Sequence, residues 1–269
     1  MIKKLINRNT VPDIFLKKNN AKIVALTCYN AQISKIIDKY ADIILVGDSM
    51  GMTLYGKKNT LSVTKEMLIE HGKAVVNNTE KALVVIDLPF GSYECSKEQA
   101  FESAATILSN TGADAVKLEG GIEFSDTIKF LVERGIPTMG HIGLMPQRIN
   151  IKGKFSALGK SSSESKKIIK DAKSISSAGV FSIVVEAVKE SLGKTITANV
   201  SVPTIGIGAG KHCDGQILVS DDMLGLFNDF TPKFVKKYAN LYKEIDKAVQ
   251  TYQKEVLSES FPSAKNVYK

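Results

Sequence analysis

One pattern constrains this chain more than any other. Short runs rich in valine and isoleucine end on a charged residue, and a stretch with helical spacing follows most of them. Ile43-Ile44-Leu45-Val46-Gly47 ends in Asp48-Ser49, Leu83-Val84-Val85-Ile86 in Asp87, Pro137-Thr138-Met139-Gly140 in His141 and Ile183-Val184-Val185 in Glu186. Ala115-Val116 leads into Lys117-Leu118-Glu119-Gly120-Gly121. Apolar runs without alternation suit strands buried on both faces, the strands of helix-covered parallel sheets. Eight strands are predicted: Lys22–Cys28, Asp42–Gly47, Leu83–Leu88, Ala115–Glu119, Thr138–Ile142, Ser182–Ala187, Thr204–Ile207 and Gln216–Ser220. Residues 31–37, Lys65–Val76, Ser96–Asn110, Phe124–Arg134 and Ser163–Ala178 carry apolar residues near period 3.6. Gly112, Gly135 and Gly179 follow helices closely and read as C-terminal caps. An α/β chain of this order predicts a (β/α)8 TIM barrel, in which the carboxyl ends of all strands meet at one mouth.

The whole of 1–269 reads as one barrel domain, with an N-terminal arm over 1–21, the barrel over 22–231 and a helical tail over 232–269. The connection Gly208–Gly215 has no room for a helix. The segment Gln147–Gly159 is long and aperiodic and carries Arg148, Lys152, Gly153, Lys154 and Phe155, which suits a lid at the mouth. Apolar residues at 234, 235, 238, 241, 242, 245, 249, 252 and 256 predict an amphipathic helix, or two, over Phe234–Leu257. Such a helix can close the barrel or pack on a neighbouring subunit, and Ser258–Lys269 reads as a frayed end.

Composition removes several function classes. Cys28, Cys95 and Cys213 show neither disulfide parity nor zinc spacing, so a reduced, cytoplasmic setting is expected. The basic start Met1-Ile2-Lys3-Lys4-Leu5-Ile6 lacks a continuous apolar core, so no signal peptide is expected. No apolar run approaches the roughly 20 residues that span a bilayer. The formal charge is +8, but lysines such as Lys166, Lys167, Lys170 and Lys173, or Lys236, Lys237, Lys243 and Lys247, are spaced as solvated helix faces. We therefore expect small-molecule substrates and neither a nucleic acid nor a membrane as partner.

Asp48 and Asp87 follow strands two and three, neighbours in a barrel, and Glu119 follows the fourth. Alone, each aspartate could cap a helix or start a turn. Together the acids suit Mg²⁺, which takes one or two carboxylates and fills its octahedron with water and substrate oxygens. Lys117 shares strand parity with Glu119; the two read either as an ion pair or as a lysine poised for a substrate carboxylate. His141 lies between glycines, which leaves space for a ligand, whereas His71 and His212 have weaker contexts. Glu186 ends an apolar run, where burial raises a carboxylate pKa toward that of a useful general base. The turn Gly206-Ile207-Gly208-Ala209-Gly210 permits close backbone approach to a ligand. Neither a P-loop nor an HExxH motif is present, and Ser49 has no His/Asp partner in sequence.

These segments resemble the ketopantoate hydroxymethyltransferase family. The likeness rests on Val46-Gly47-Asp48-Ser49-Met50-Gly51-Met52, Asp87-Leu88-Pro89-Phe90, Val116-Lys117-Leu118-Glu119-Gly120-Gly121, Gly140-His141-Ile142-Gly143-Leu144-Met145-Pro146-Gln147 and Ile205-Gly206-Ile207-Gly208-Ala209-Gly210. Asp214-Gly215-Gln216-Ile217-Leu218-Val219 and Pro232-Lys233-Phe234 extend it, so that it runs from about Lys22 to Tyr242. The resemblance implies a barrel of the phosphoenolpyruvate/pyruvate type and a homodecamer of two pentameric rings. It implies transfer of a one-carbon unit from 5,10-methylenetetrahydrofolate to 3-methyl-2-oxobutanoate, the first step of pantothenate synthesis. Residue by residue, it implies Asp48, Asp87 and Glu119 at Mg²⁺, Ser49 and Lys117 on the keto acid, His141 near the substrate and Glu186 as proton acceptor. The sequence departs at Ala187-Val188-Lys189, where a small apolar residue and proline are expected, and in the lysine-rich Lys152–Lys160 loop. Isocitrate-lyase-like and phosphopyruvate-mutase-like barrels share a metal and an enolate but use a Lys-Lys-Cys-Gly-His motif, absent here. A degenerate, anion-binding barrel would not be expected to keep Asp48, Asp87 and Glu186.

Overall fold

A computed structural model describes residues 8–153, 156–227 and 231–268. Eight parallel strands close into a barrel in sequence order: β1 Ile23–Thr27, β2 Ile43–Val46, β3 Leu83–Asp87, β4 Ala115–Glu119, β5 Thr138–Gly143, β6 Ser182–Glu186, β7 Thr204–Ile207 and β8 Gly215–Leu218. The helices are α1 Val11–Leu16, α2 Ala31–Ile37, α3 Met50–Thr53, α4 Lys65–Val76, α5 Lys97–Thr111, α6 Ser125–Glu133, α7 Ile149–Lys152, α8 Ser162–Ser177, α9 Glu190–Asn199, α10 Ser220–Leu224 and α11 Leu241–Leu257. All eight predicted strands form, and β7 joins β8 without a helix. Gly112, Gly135 and Gly179 adopt positive φ of 71°, 82° and 102°, as caps require.

Strand periodicity decides what fills the barrel. Ile23 and Ala25, Ile43 and Leu45, Leu83 and Val85, Ala115, Met139, Val184, Ile205 and Ile217 form one buried apolar cluster. The alternate residues Ile44, Val84, Val116 and Ile183 belong to the larger cluster shared with the helices. Counting on by twos from the inner set reaches Gly47, Asp87, Lys117, Glu119, His141 and Glu186. The polar residues at the strand ends therefore continue the inner layers of the barrel.

The opposite end is built for stability. Ile14 of α1 is fully buried in the inner cluster. Asp42, Asp114 and Asp214, which precede β2, β4 and β8, pair with Lys17 at 2.7 Å, Arg8 at 3.2 Å and Lys18 at 2.8 Å. The N-terminal arm thus ties down the strand starts and leaves the strand ends free for chemistry.

Two helical expectations need correction. The periodicity suggested helix from Phe234, yet α11 starts at Leu241. Asn240 stops it: its backbone is non-helical at φ −136° and ψ 70°, and its side chain accepts the Lys243 N–H at 3.3 Å. Helix α9 was not expected, because Gly193, Thr195 and Thr197 weaken its helical signal, but Leu192 and Ile196 bury one face. The segment after β5 is less irregular than expected: it forms a 3₁₀ turn over Pro146–Arg148 and then α7. Lys154 and Phe155 of the expected lid, and Met1–Ile6, lie outside the described residues.

The described residues fall into two compact units, one up to Val219 and one from Ser220. In the second unit, α11 exposes Tyr242, Ile245, Val249, Tyr252 and Val256, spaced three and four apart along one face. No helix among the described residues is long and apolar enough to cross a membrane.

Candidate active site

Register brings the inner polar residues side by side. Asp87 pairs with Lys117 and Lys117 with Met139; Glu119 pairs with His141, and Gly143 with Glu186. Asp48, Asp87, Lys117, Glu119 and His141 are each at most 4% exposed. Lys117 Nζ lies 2.9 Å from Asp87 Oδ1 and 3.4 Å from His141 Nδ1. The imidazole bridges two acids: Nδ1 is 3.5 Å from Glu119 Oε1, and Nε2 is 3.2 Å from Glu186 Oε2. That second contact is close but poorly aligned, since Nε2 makes no good hydrogen bond. Glu186, with 15% of its side chain exposed, is the acid of this group most open to the mouth. Ala187 after it is held at φ +48°, a left-handed conformation unusual for alanine, by a 2.8 Å bond from its N–H to the Ile207 carbonyl.

Two glycines make room. A Cβ on Gly47 would stand 3.0 Å from Ser49 Oγ and 3.2 Å from Asp87 Oδ2, crowding the acids. A Cβ on Gly143, at φ +93°, would meet the Glu186 carbonyl at 2.3 Å. Only glycine lets β5 pass so close to the end of β6.

Residues that the strand-end reading passed over fasten the acids. Gln147 Nε2 donates to Asp48 Oδ2 at 2.8 Å and to the Leu88 carbonyl at 2.9 Å. Its backbone N–H donates to Glu119 Oε2 at 3.1 Å, and its Oε1 accepts the Tyr93 hydroxyl at 2.6 Å. One residue, through its side-chain amide and its backbone N–H, thus joins the ends of β2, β3 and β4. The Asp48 N–H also donates to Asp87 Oδ2 at 3.0 Å, and Tyr29 Oη shares a 2.8 Å hydrogen bond with Ser49 Oγ. In the sequence Gln147 closes one of the family segments and opens the Gln147–Gly159 connection, but nothing there gives it a role at the acids.

The charges are perturbed as such crowding demands. Burial lifts the Asp48 pKa well above the usual carboxylate range, and the charges of Asp87 and Glu119 lift it further. Burial alone would depress Lys117, but Asp87, Glu119 and Asp48 outweigh it and hold the ammonium more firmly than usual. Burial and Lys117 oppose the charge on His141; Glu119 and Glu186 prevail and lift its pKa to about 9.

The predicted metal residues meet one test of fit and miss another. Three buried hard-oxygen acids repel one another, and Asp87 Oδ1 accepts no well-aligned hydrogen bond, as suits a cation site. Yet among the described residues no three His, Cys, Asp or Glu side chains form a ready-made ligand set. Lys117 pairs with Asp87, and both oxygens of Glu119 already have neighbours, Gln147 and His141. Mg²⁺ does not need a three-ligand cage, since it often keeps waters and binds through one or two carboxylates.

The fold and its site define a closed parallel (β/α)8 barrel with buried acids at the carboxyl ends of its strands. Phosphonopyruvate hydrolase, solved in complex with oxalate and Mg⁺⁺, superposes with a TM-score of 0.61 at 11% identity, covering 96% of this chain and 93% of its own. 2,3-Dimethylmalate lyase, a PEP mutase/isocitrate lyase superfamily member, gives 0.60 at 10% identity, covering 96% and 91%. At the level of sequence, residues 8–264 match the family model described as ketopantoate hydroxymethyltransferase. The 3-methyl-2-oxobutanoate hydroxymethyltransferase of Rhizobium rhizogenes is 51% identical over 98% of this chain and 97% of its own length. The chain belongs to the ketopantoate hydroxymethyltransferase family.

Proposed function

We propose that this chain transfers a hydroxymethyl group from 5,10-methylenetetrahydrofolate to 3-methyl-2-oxobutanoate, giving 2-dehydropantoate and tetrahydrofolate, with Mg²⁺ in the site. Family membership carries the reaction. The observation that best supports the site is the inward convergence of Asp87, Lys117, Glu119 and His141 beside Asp48, with Glu186 at the rim. Asp48 and Asp87 would hold the cation, with Glu119 as the third carboxylate beside it. Bound there, Mg²⁺ would polarise the keto oxygen and acidify the neighbouring C3–H.

The remaining steps belong to side chains. Lys117 and Ser49 bind the keto acid, the first through charge and the second through its hydroxyl, oriented by Tyr29. Glu186 accepts the C3 proton, with His141 Nε2 3.2 Å from its carboxylate. The carbanionic C3 then bonds to the carrier's one-carbon unit as the two carbon–nitrogen bonds that tie that carbon to the folate break. One water supplies the hydroxyl of the product, and the C3 proton and the other water proton end on the two folate nitrogens, giving tetrahydrofolate. We infer further that the protein works as a cytoplasmic decamer of two pentameric rings, a reading supported by the resemblance and by the apolar face of α11. Incubating purified protein with both substrates should yield 2-dehydropantoate only when Mg²⁺ is present. No product under those conditions would refute the reading.

A further inference from the structure

A hydroxymethyl transfer needs two substrates side by side, so the carrier must sit next to the acid cluster. A cleft of about 290 Å³ opens beside it. Its walls include Phe90, Tyr93 and Glu94 from the connection after β3, Phe124 from the one after β4, and Gln147 and Arg148 from the one after β5. All of these connections leave the catalytic end of the barrel. Gln147 and Tyr93 link the cleft to the cluster: the Tyr93 hydroxyl donates to Gln147, which donates to Asp48. A ligand seated in the cleft is therefore next to the carboxylates.

The lining indicates what kind of ligand fits. The rings of Tyr93 and Phe124 pack at 5.3 Å, and the Arg148 guanidinium lies 5.7 Å from the centre of Phe124. Phe90 lines the cleft and is 49% exposed, so about half of its surface is open to a ligand. Open aromatic faces beside a cation select flat, electron-rich rings with anionic substituents. Arg148 is held by Glu123 at 2.7 Å yet keeps 29% of its side chain exposed, so it can meet an anion at the entrance. The volume is at the lower edge of the range for small-molecule sites, enough for a bicyclic ring and too small for a whole folate.

Resting on the reading above, the geometry points to this cleft as the site of the one-carbon carrier: its reduced pterin ring stacks on Phe90 inside, and its carboxylated tail passes Arg148 to solvent. The test measures KM for 5,10-methylenetetrahydrofolate in Phe90→Ala and Arg148→Met, with 6-methyltetrahydropterin, which has no tail, as a competing probe. Loss of a stacking face should raise the folate KM about tenfold and weaken inhibition by the pterin to the same degree. Arg148→Met should raise the folate KM and leave pterin inhibition as in the wild type. KM for the keto acid should stay within about twofold in both variants. An unchanged folate KM in both, with transfer intact, overturns the cleft alone. Equal increases for both substrates also overturn it, because the residues would then serve the keto-acid half. A wild-type protein that exchanges C3–H of the keto acid but takes no carbon from the folate would overturn the donor and remove the occupant.

Discussion

Replacing Gln147 with leucine keeps the volume near constant and deletes a buried amide that serves three partners. Asp48 Oδ2 loses a charge-assisted bond of 2.8 Å, the Leu88 carbonyl loses one of 2.9 Å, and the Tyr93 hydroxyl loses its acceptor at 2.6 Å. The backbone bond from Gln147 to Glu119 survives. A hydrogen bond to a charged group contributes about 1.5–3 kcal/mol and a neutral one about 0.5–1.5 kcal/mol. Asp48 can answer by taking a proton, for which its raised pKa prepares it. That places the total cost near the low end, about 3 kcal/mol. For a chain of this size each kcal/mol moves Tm by about 2–4 °C, so calorimetry in chelator should show a fall of about 6–12 °C. The variant should also gain less thermal stability from added Mg²⁺ than the wild type, because Asp48 is no longer oriented. A Tm within about 3 °C of wild type, with an undiminished Mg²⁺ response, would show that the amide neither holds the acids nor prepares them.

The two aspartates should separate stability from activity. Asp48→Asn removes a charge that burial and two neighbouring acids disfavour, so Mg²⁺-dependent turnover should vanish while Tm in chelator stays level or rises; a large fall in Tm contradicts this. Asp87→Asn should also abolish turnover, but it removes the carboxylate 2.9 Å from the buried Lys117 ammonium. Breaking a buried pair costs about 3–5 kcal/mol, so this variant should melt well below the first, and equal melting temperatures would refute the asymmetry. Deleting the residues after Tyr242 should lower the mass seen by light scattering, since it removes most of the apolar row of α11, Ile245, Val249, Tyr252 and Val256. An unchanged large oligomer would assign assembly to the barrel surfaces.

Much of this arrangement is legible in sequence because the barrel imposes a period of two. Once a strand such as Ala115–Glu119 is recognised, the inward direction of Lys117 and Glu119 follows from counting. Asp87, His141 and Glu186 follow from the same count on their own strands. Gln147 and Tyr93 are not on strands, so no period announces them, and their partners lie on the connections after β2, β3 and β5 and on β4 itself. Helix α9 escaped because tertiary burial of Leu192 and Ile196 overrides weak propensity. The start of α11 was misplaced because apolar spacing continues upstream through Phe234 and Tyr238, while capping by Asn240 is a backbone event that spacing does not register. The expectation for Asp48 and Asp87 as helix-capping or turn residues also resolves in space: Ser49 occupies the cap position of α3 without a side-chain bond, and Asp48 turns to Gln147 instead.

The central claim is that Glu186 removes the C3 proton of a keto acid held among these acids. Proton NMR of 3-methyl-2-oxobutanoate in deuterated buffer, with Mg²⁺ and without folate, follows that step alone. Wild-type protein should wash out the C3 signal. Glu186→Gln keeps the size of the side chain and leaves Asp48, Asp87 and Lys117 in place, so keto-acid binding should persist while exchange slows about 10²–10⁴-fold, the usual contribution of a general base. Exchange at the wild-type rate in Glu186→Gln would contradict the account and transfer the role of base to His141.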